Sequence, residues 1–378
     1  MSRQPLLDEL QAVLQVRQDA GLLRTPQERR GTSFTSNDYL GLAHDRELSA
    51  RVARGVEEQG IGLTGSRLLS GHGALPKVAE SALAGFCGQP SATLFSSGYA
   101  ANVGLISAVA GPGDHIISDR LNHASLIDGM RLSGANKHIF AHADLDALEA
   151  KLRRLPQTGR RVVVVESVYS MDGDLAPLGR ICDVAERYGA AVIVDEAHAT
   201  GLYGARGSGR VEACGVTERV LCTVHTGGKA LGSGGAWVAA PLTLTRYLHN
   251  FARTFVYSTA PPPAVILSLV EAVRMLPKLA ERVASVHRKS ALLRSELQRA
   301  GFNTGASQGC IVPVIIGDAV EATRVSELLQ REGFDIRAIR PPTVPEGTSR
   351  LRLTVTANIA EPELFRLLDV LVQTRAVA

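Results

Sequence analysis

The chain predicts an α/β fold: a mostly parallel, seven-stranded sheet flanked by helices, followed by a smaller C-terminal α+β domain. Seven short apolar runs, at 92–95, 115–117, 137–140, 162–165, 190–194, 220–224 and 236–239, are separated mostly by segments of helical periodicity. Strands apolar on both faces that alternate with helices belong to a parallel sheet covered on both sides. The composition agrees, with 45% apolar residues, 37 glycines and only 4% aromatics in 378 residues. That profile suits close helix-on-sheet packing better than an aromatic-rich β module. The texture then changes after Ser258-Thr-Ala-Pro-Pro-Pro263, where a long helical region begins.

Leu6, Leu7, Leu10, Val13 and Leu14 recur at helical spacing and predict an amphipathic helix ending near Gly21. A polar, turn-rich segment from Thr25 to Ser36 leads into Asn37-Asp-Tyr-Leu-Gly-Leu42, and helices are expected around Leu48–Val56 and 76–87 on either side of a Gly-rich connection, 60–73. Asp144 caps a helix with leucines three and four apart. Beyond the proline run, helix spans 264–300 with a kink at Pro277. Strands at 311–316, 335–339 and 350–355 alternate with helices at 319–332 and 361–374. The expected division is residues 1–38 as an N-terminal helical segment, 39–263 as the large cofactor-binding domain and 264–378 as the small domain.

Basic residues exceed acidic ones by four and are scattered, so neither a nucleic-acid nor a membrane footprint is expected, and the partners sought are small molecules. No signal-peptide pattern and no apolar run near the ~18 residues of a membrane span appear, and a cytoplasmic location is expected. The five cysteines are never in a Cys-x-x-Cys pair, so disulfides and structural zinc are unexpected and all five read as small buried apolar residues.

In a parallel sheet, ligands bind outside the carboxyl ends of the strands. The apolar runs are followed there by Asp119, Asn122 and His123; by Glu166, Ser167 and Ser170; by Asp195, Glu196 and His198; and by His225, Thr226 and Lys229. Ser96-Ser-Gly-Tyr-Ala-Ala-Asn102 opens a helix after the first run, and such a small-residue turn is an anion seat. Lys229 is the one charge in Thr223–Ala236, and a lysine with little to solvate it favours the neutral, nucleophilic amine. Each feature alone is more often structural: a helix cap, a satisfied histidine, a surface lysine. Together they supply what pyridoxal 5′-phosphate (PLP) requires: a phosphate seat, an acid for the pyridine nitrogen, a ring-stacking group and a Schiff-base lysine.

Two other classes compete. Asp195-Glu-Ala-His198 also spells a helicase-like acidic motif, but Gly228-Lys229 is followed by Ala230, so no P-loop accompanies it. A metal site from Asp195, His198, His123 and His225 has less specific spacing than His-Glu-x-x-His, and no metal is expected.

Six segments, Ser36–Leu42, Gly65-Ser-Arg-Leu-Leu-Ser-Gly71, Ser97–Asn102, Glu166–Asp174, Asp195–Gly201 and Gly228–Gly232, fall in the order and spacing of the α-oxoamine synthases, which the chain resembles from about residue 36 onward. The resemblance implies a fold-type-I PLP-dependent transferase, a homodimer with active sites at the subunit interface. Lys229 would carry the cofactor, Asp195 pair with the pyridine nitrogen, His198 contact the ring oxygen and His123 stack on the ring. Ser97, Gly98, Tyr99 and Thr226 would hold phosphate, Ser258 and Thr259 reach across from the partner, and Ser170 and Asn37 complete the pocket.

In the small domain, Arg340-Pro-Pro-Thr343-Val-Pro and Arg350-Leu-Arg352-Leu resemble the family's substrate-binding part. Period-2 alternation puts Arg350 and Arg352 on one strand face, which without the resemblance reads as a solvated edge. The motif favours Arg352 as the fork for the amino-acid carboxylate, and Arg24 is the candidate N-terminal substrate arginine. Gly227 stands where the family often has a larger side chain, which predicts a looser loop. The Gly65–Gly71 and Arg340–Pro345 motifs favour the biotin-pathway member, an acyltransferase taking L-alanine and a pimeloyl thioester of coenzyme A or an acyl carrier protein. Glycine-using members that make 2-amino-3-oxobutyrate or 5-aminolevulinate are the alternative.

Overall fold

The computed structural model describes residues 3–28 and 30–376. Its strands in chain order are β1 (Thr32–Ser33), β2 (Ser91–Phe95), β3 (His115–Asp119), β4 (Asn136–Phe140), β5 (Arg161–Glu166), β6 (Ala191–Asp195), β7 (Cys222–Thr226), β8 (Ala236–Ala240), β9 (Ile311–Gly317), β10 (Phe334–Asp335), β11 (Ala338–Ile339) and β12 (Ser349–Thr354). Two compact units result. The larger comprises residues 37–170 and 174–286, and the smaller comprises the chain up to Ser36, residues 171–173 and the chain from His287.

In the larger unit β2 to β8 form one sheet in the order β2-β8-β7-β6-β5-β3-β4. All neighbours are parallel except β8, which runs antiparallel to both β2 and β7. Alternate residues of the same strands feed two cores, as the two-residue period of a strand demands. Val162, Val164 and Ile193 join Leu105, Leu126 and Leu248 on one face. Val163, Val165, Val192 and Val194 join Leu148, Ile181 and Ala185 on the other. The predicted cap at Asp144 is present, its carboxylate accepting from the Ala147 amide at 2.8 Å.

The Gly65–Gly71 motif forms a loop anchored from beneath. Arg67 reaches inward and donates two parallel bonds, 3.0 and 2.9 Å, to Glu80, whose carboxylate also accepts the Leu94 amide at the sheet edge. Ser66 in this loop bridges Thr259.

The helical region after the proline run starts as expected, with Pro263 at the first turn of helix Pro263–Met275, and Pro277 sits in a 3-10 turn, Leu276–Leu279, before helix Ala280–Arg299. The boundary between units nevertheless falls inside that last helix, not at the prolines. Helix Pro263–Met275 packs against helices Arg46–Gln59 and Ala74–Cys87, so the texture change marks a helix start within the larger unit.

In the smaller unit β11, β12 and β9 form an antiparallel sheet with β12 at its centre, and β1 pairs with β10. Leu351 and Leu353 enter a core with Phe34, Val312, Leu329 and Leu367. A central strand has no solvated edge, and the opposite face of β12 is not solvated: Arg350 is 5% and Arg352 8% exposed. The N-terminal helix, Arg3–Asp19, has its predicted amphipathic stripe but buries none of it, Val13 being 60% exposed. Of the cysteines, Cys214 is exposed, at the end of a short helix, and the other four are buried.

Arg67→Met would strand the Glu80 carboxylate, whose partner guanidinium is 3% exposed. Losing one member of such a pair costs about 3–5 kcal/mol, to be read as a lowered urea midpoint.

Candidate active site

β7, β6, β5 and β3 are parallel neighbours, so their carboxyl ends share one edge at roughly 4.8 Å per strand. Asp195 ends β6 directly opposite Glu166 at the end of β5. Both are buried, and two carboxylates in register out of water cannot both remain charged cheaply. Burial and the neighbouring Asp195 charge push Glu166 well above its usual range, against the pull of Lys229 and of the His123 amide. That amide donates to Glu166 Oε1 at 2.6 Å.

Asp195 is held by two donors: the Ala197 amide reaches Oδ1 at 2.8 Å and Asn102 Nδ2 reaches Oδ2 at 2.7 Å. The same Asn102 nitrogen donates to Ser125 Oγ at 2.9 Å, and Ser125 Oγ lies 2.8 Å from His123 Nδ1. The Ser125 amide also points at Nδ1. Nδ1 is therefore an acceptor, and the neutral ring carries its proton on Nε2. Burial lowers the His123 pKa, the Lys229 charge adds to that, and Asp195 opposes it.

His198, 4% exposed, bonds Tyr39 OH at 2.6 Å through Nδ1. Asn37 Oδ1 accepts from the same hydroxyl at 3.4 Å. The anion seat is the N-terminus of helix Gly98–Val109, capped by Ser97 Oγ accepting from the Ala100 amide. A Cβ built on Gly98 would stand 3.5 Å from Thr226 Cβ, so the helix start and the β7 end face each other closely. Tyr99 OH is tied to Asp128 at 2.5 Å.

Lys229 is half-buried in the loop between β7 and β8, and its charge acts on both Glu166 and His123. The loop is not loose at Gly227. A Cβ there would meet Gly234 O at 2.2 Å and Leu269 Cδ2 at 2.3 Å, and Gly227 exchanges backbone bonds with Gly235 and Ser233. Glycine is required by that close approach, which overturns the expectation of slack. His225 is withdrawn from the edge: its nitrogens meet Thr200 and Thr223 hydroxyls at 2.9 and 2.7 Å, its ring stacks on Trp237, and burial lowers its pKa to about 3.

Ser170 is half-buried in the loop closed by the Tyr169 amide bonding Asp174 O. Ser258 is half-buried and Thr259 exposed beside the Ser66 bridge. In the smaller unit, Arg24 donates to Thr343 Oγ1 at 2.9 Å and Arg340 to Gly21 O, while Arg352 donates to Thr354 Oγ1 at 2.8 Å. Its face-mate Arg350 pairs with Asp172. Asn102, Ser125 and Tyr39 are positioning groups that sequence reasoning passed over. Their signal was present, since Tyr39 and Asn102 lie inside motif segments and Ser125 two residues from His123, but only contact reveals their partners.

These residues suit PLP. Asp195, with one donor on each oxygen, keeps acceptor capacity for a pyridinium N–H. The turn at Gly98 supplies helix N-terminal amides for a phosphate, and the His123 amide and the Lys229 charge both bear on Glu166. A half-buried lysine, a buried acid and a capped helix N-terminus on one strand-end edge fit a fold-type-I PLP-dependent transferase, the class to which the chain belongs, and its cofactor is PLP. The chain belongs to the aminotransferase class I and II family, whose profile matches residues 29–371.

It is 46% identical to the 8-amino-7-oxononanoate synthase of Trichlorobacter lovleyi, over 87% of this chain and 85% of that one. It is 43% identical to the enzyme of that name from Nitrosococcus oceani, over 91% and 92%. Among solved structures, a serine palmitoyltransferase of S. paucimobilis with a bound PLP–myriocin aldimine superposes with a TM-score of 0.92 at 30% identity, covering 100% of this chain and 99% of that one. The 8-amino-7-oxononanoate synthase of Francisella tularensis gives 0.80 at 25%, covering 92% and 98%.

One buried acid beside the site reports on pH. Burial raises Glu196 to about 7, against bonds from Ser167 and the Val211 and Arg210 amides. The folded chain then holds a proton that the unfolded chain releases near 4.5, so this group's stabilisation is complete below that value and declines as pH rises toward 7. Glu196→Gln is expected to flatten the fall in unfolding free energy between pH 5 and 7, measured by urea titration.

Proposed function

We propose that this chain condenses L-alanine with a pimeloyl thioester, of coenzyme A or an acyl carrier protein, releasing the thiol and carbon dioxide and giving 8-amino-7-oxononanoate for biotin biosynthesis. In this reading it acts in the cytoplasm as a homodimer, Ser258 and Thr259 serving the partner's site. The name shared by relatives of 41–46% identity along most of the chain supports it. The observation that carries the chemistry is the Asn102 amide, which aims Asp195 and, through Ser125, orients His123.

When bound, PLP withdraws electrons from the α-carbon of the amino acid. Asp195, oriented by the Ala197 amide and Asn102, would pair with the pyridine nitrogen and keep it protonated. His123 would present a neutral ring face, and His198, braced by Tyr39, would contact the ring oxygen. The Gly98 and Tyr99 amides, with Ser97 and Thr226, seat the phosphate. Lys229 would hold the cofactor, and its free amine would take the α-proton of alanine. Ser170 and Asn37 line the pocket. In the smaller unit, Arg352 is the guanidinium assigned to the alanine carboxylate, and Arg24, Arg340 and Thr343 are assigned to the acyl substrate.

A grid of alanine, glycine and serine against pimeloyl, acetyl, succinyl and palmitoyl thioesters, scored by free thiol and product mass, tests the substrates. Alanine with pimeloyl is expected to be the best pair, and glycine with acetyl or serine with palmitoyl as the best pair would overturn the reading. Lys229→Ala is expected to lower turnover by roughly 10² to 10⁴ or more. Wild-type turnover in that variant would refute the role of the amine.

A further inference from the structure

His142 belongs to none of the motifs and touches none of the proposed site residues, yet both its nitrogens are committed. Nδ1 lies 2.9 Å from Asp119 Oδ1 and Nε2 lies 2.8 Å from Asp174 Oδ2. A carboxylate only accepts, so both contacts are hydrogen bonds only when the ring carries two protons. The ring also stands edge-on to buried Tyr169, with centroids 4.4 Å apart. Burial works against the charge, but the two carboxylates raise His142 to about 10.

Each carboxylate governs a strand-end loop. Asp119 closes β3 and, besides His142, accepts the amides of Leu121 at 2.8 Å and Ala143 at 3.0 Å. Burial opposes its charge, yet His142 and those amides hold its pKa below the usual value. His123 follows four residues later and caps helix Ala124–Ser133. Asp174 lies at the far end of the loop bearing Ser170, which is closed by Tyr169 N–H on Asp174 O and by a bridge between Val168 and Leu175. Asp119 also adds to the charge that raises Glu166. The imidazolium thus balances acids that would otherwise repel one another and disturb Glu166, on which the His123 amide rests.

Resting on the PLP reading above, we propose that His142 is a positioning residue: an imidazolium strap between Asp119 and Asp174 that sets the loops carrying His123 and Ser170, and so the seating of the cofactor ring. His142→Phe keeps the ring against Tyr169 and removes both bonds. Asp174→Asn keeps them in another form, because a neutral histidine can donate from Nδ1 to Asp119 and accept at Nε2 from the new amide.

The holoenzymes are compared by visible circular dichroism of bound PLP, by PLP affinity from quenching of the single tryptophan, and by kcat and KM. H142F is expected to lose at least about half of the visible band and roughly ten- to a hundredfold in kcat, with D174N within about twofold of wild type in both. Wild-type dichroism and kcat in H142F would overturn the proposal, as would D174N as impaired as H142F, since the bond pattern would then be irrelevant. If H142F does not fold, His142→Gln, able to serve one carboxylate, is read instead: a diminished band supports the strap and an unchanged band overturns it. A wild-type protein that binds no PLP would sink the functional reading itself.

Discussion

The Asn102 side chain holds the site together. A primary amide has two donor hydrogens, and both are spent, one on Asp195 and one on Ser125. Ser125 passes the constraint to His123 Nδ1. One residue on helix Gly98–Val109 thereby sets the direction of an acid at the end of β6 and the tautomer of a ring beyond β3. The same helix offers its N-terminal amides as the anion seat, so the phosphate and the pyridine nitrogen of a cofactor would be referenced to one rigid element.

Around that amide, burial and charge are balanced locally. Glu166, Asp195 and Asp119 at neighbouring strand ends, and Asp174 in the loop after β5, are each no more than 5% exposed. Such a cluster is tolerable only because backbone amides, a half-buried lysine and the His142 imidazolium meet it. Glu196, next to Asp195 in sequence, points elsewhere: it accepts the Arg210 and Val211 amides and the Ser167 hydroxyl, and organises a turn. Adjacent acids thus take different work from the strand's alternation.

The smaller unit shows how position in a sheet decides the meaning of a charged pattern. Arg350 and Arg352 alternate with leucines, as on a solvated edge, but β12 is central and both guanidiniums are buried. Arg350 is then bound to Asp172, and Arg352 keeps Thr354 as a neutral partner. Glycine at 227 carries a similar lesson, since the absence of a side chain there marks tight packing against Gly234 and Leu269.

Much of the fold was legible because it depends on local periodicity. All seven strands of the large sheet lie on the seven apolar runs, the Asp144 cap is where helix start rules put it, and Pro277 interrupts the long helix. The strand-end rule also gathered Asp195, His123, His198 and Lys229 without contacts. What tertiary structure alone decided were pairings between residues far apart in the chain: Asn102 with Asp195, Tyr39 with His198, Arg67 with Glu80, and His142 with two acids. It also decided where the units divide, because helix Pro263–Met275 buries its apolar face on earlier helices. Periodicity tells which face of an element is apolar, whereas a hydrogen-bond partner or a packing partner is set only when the chain has closed on itself.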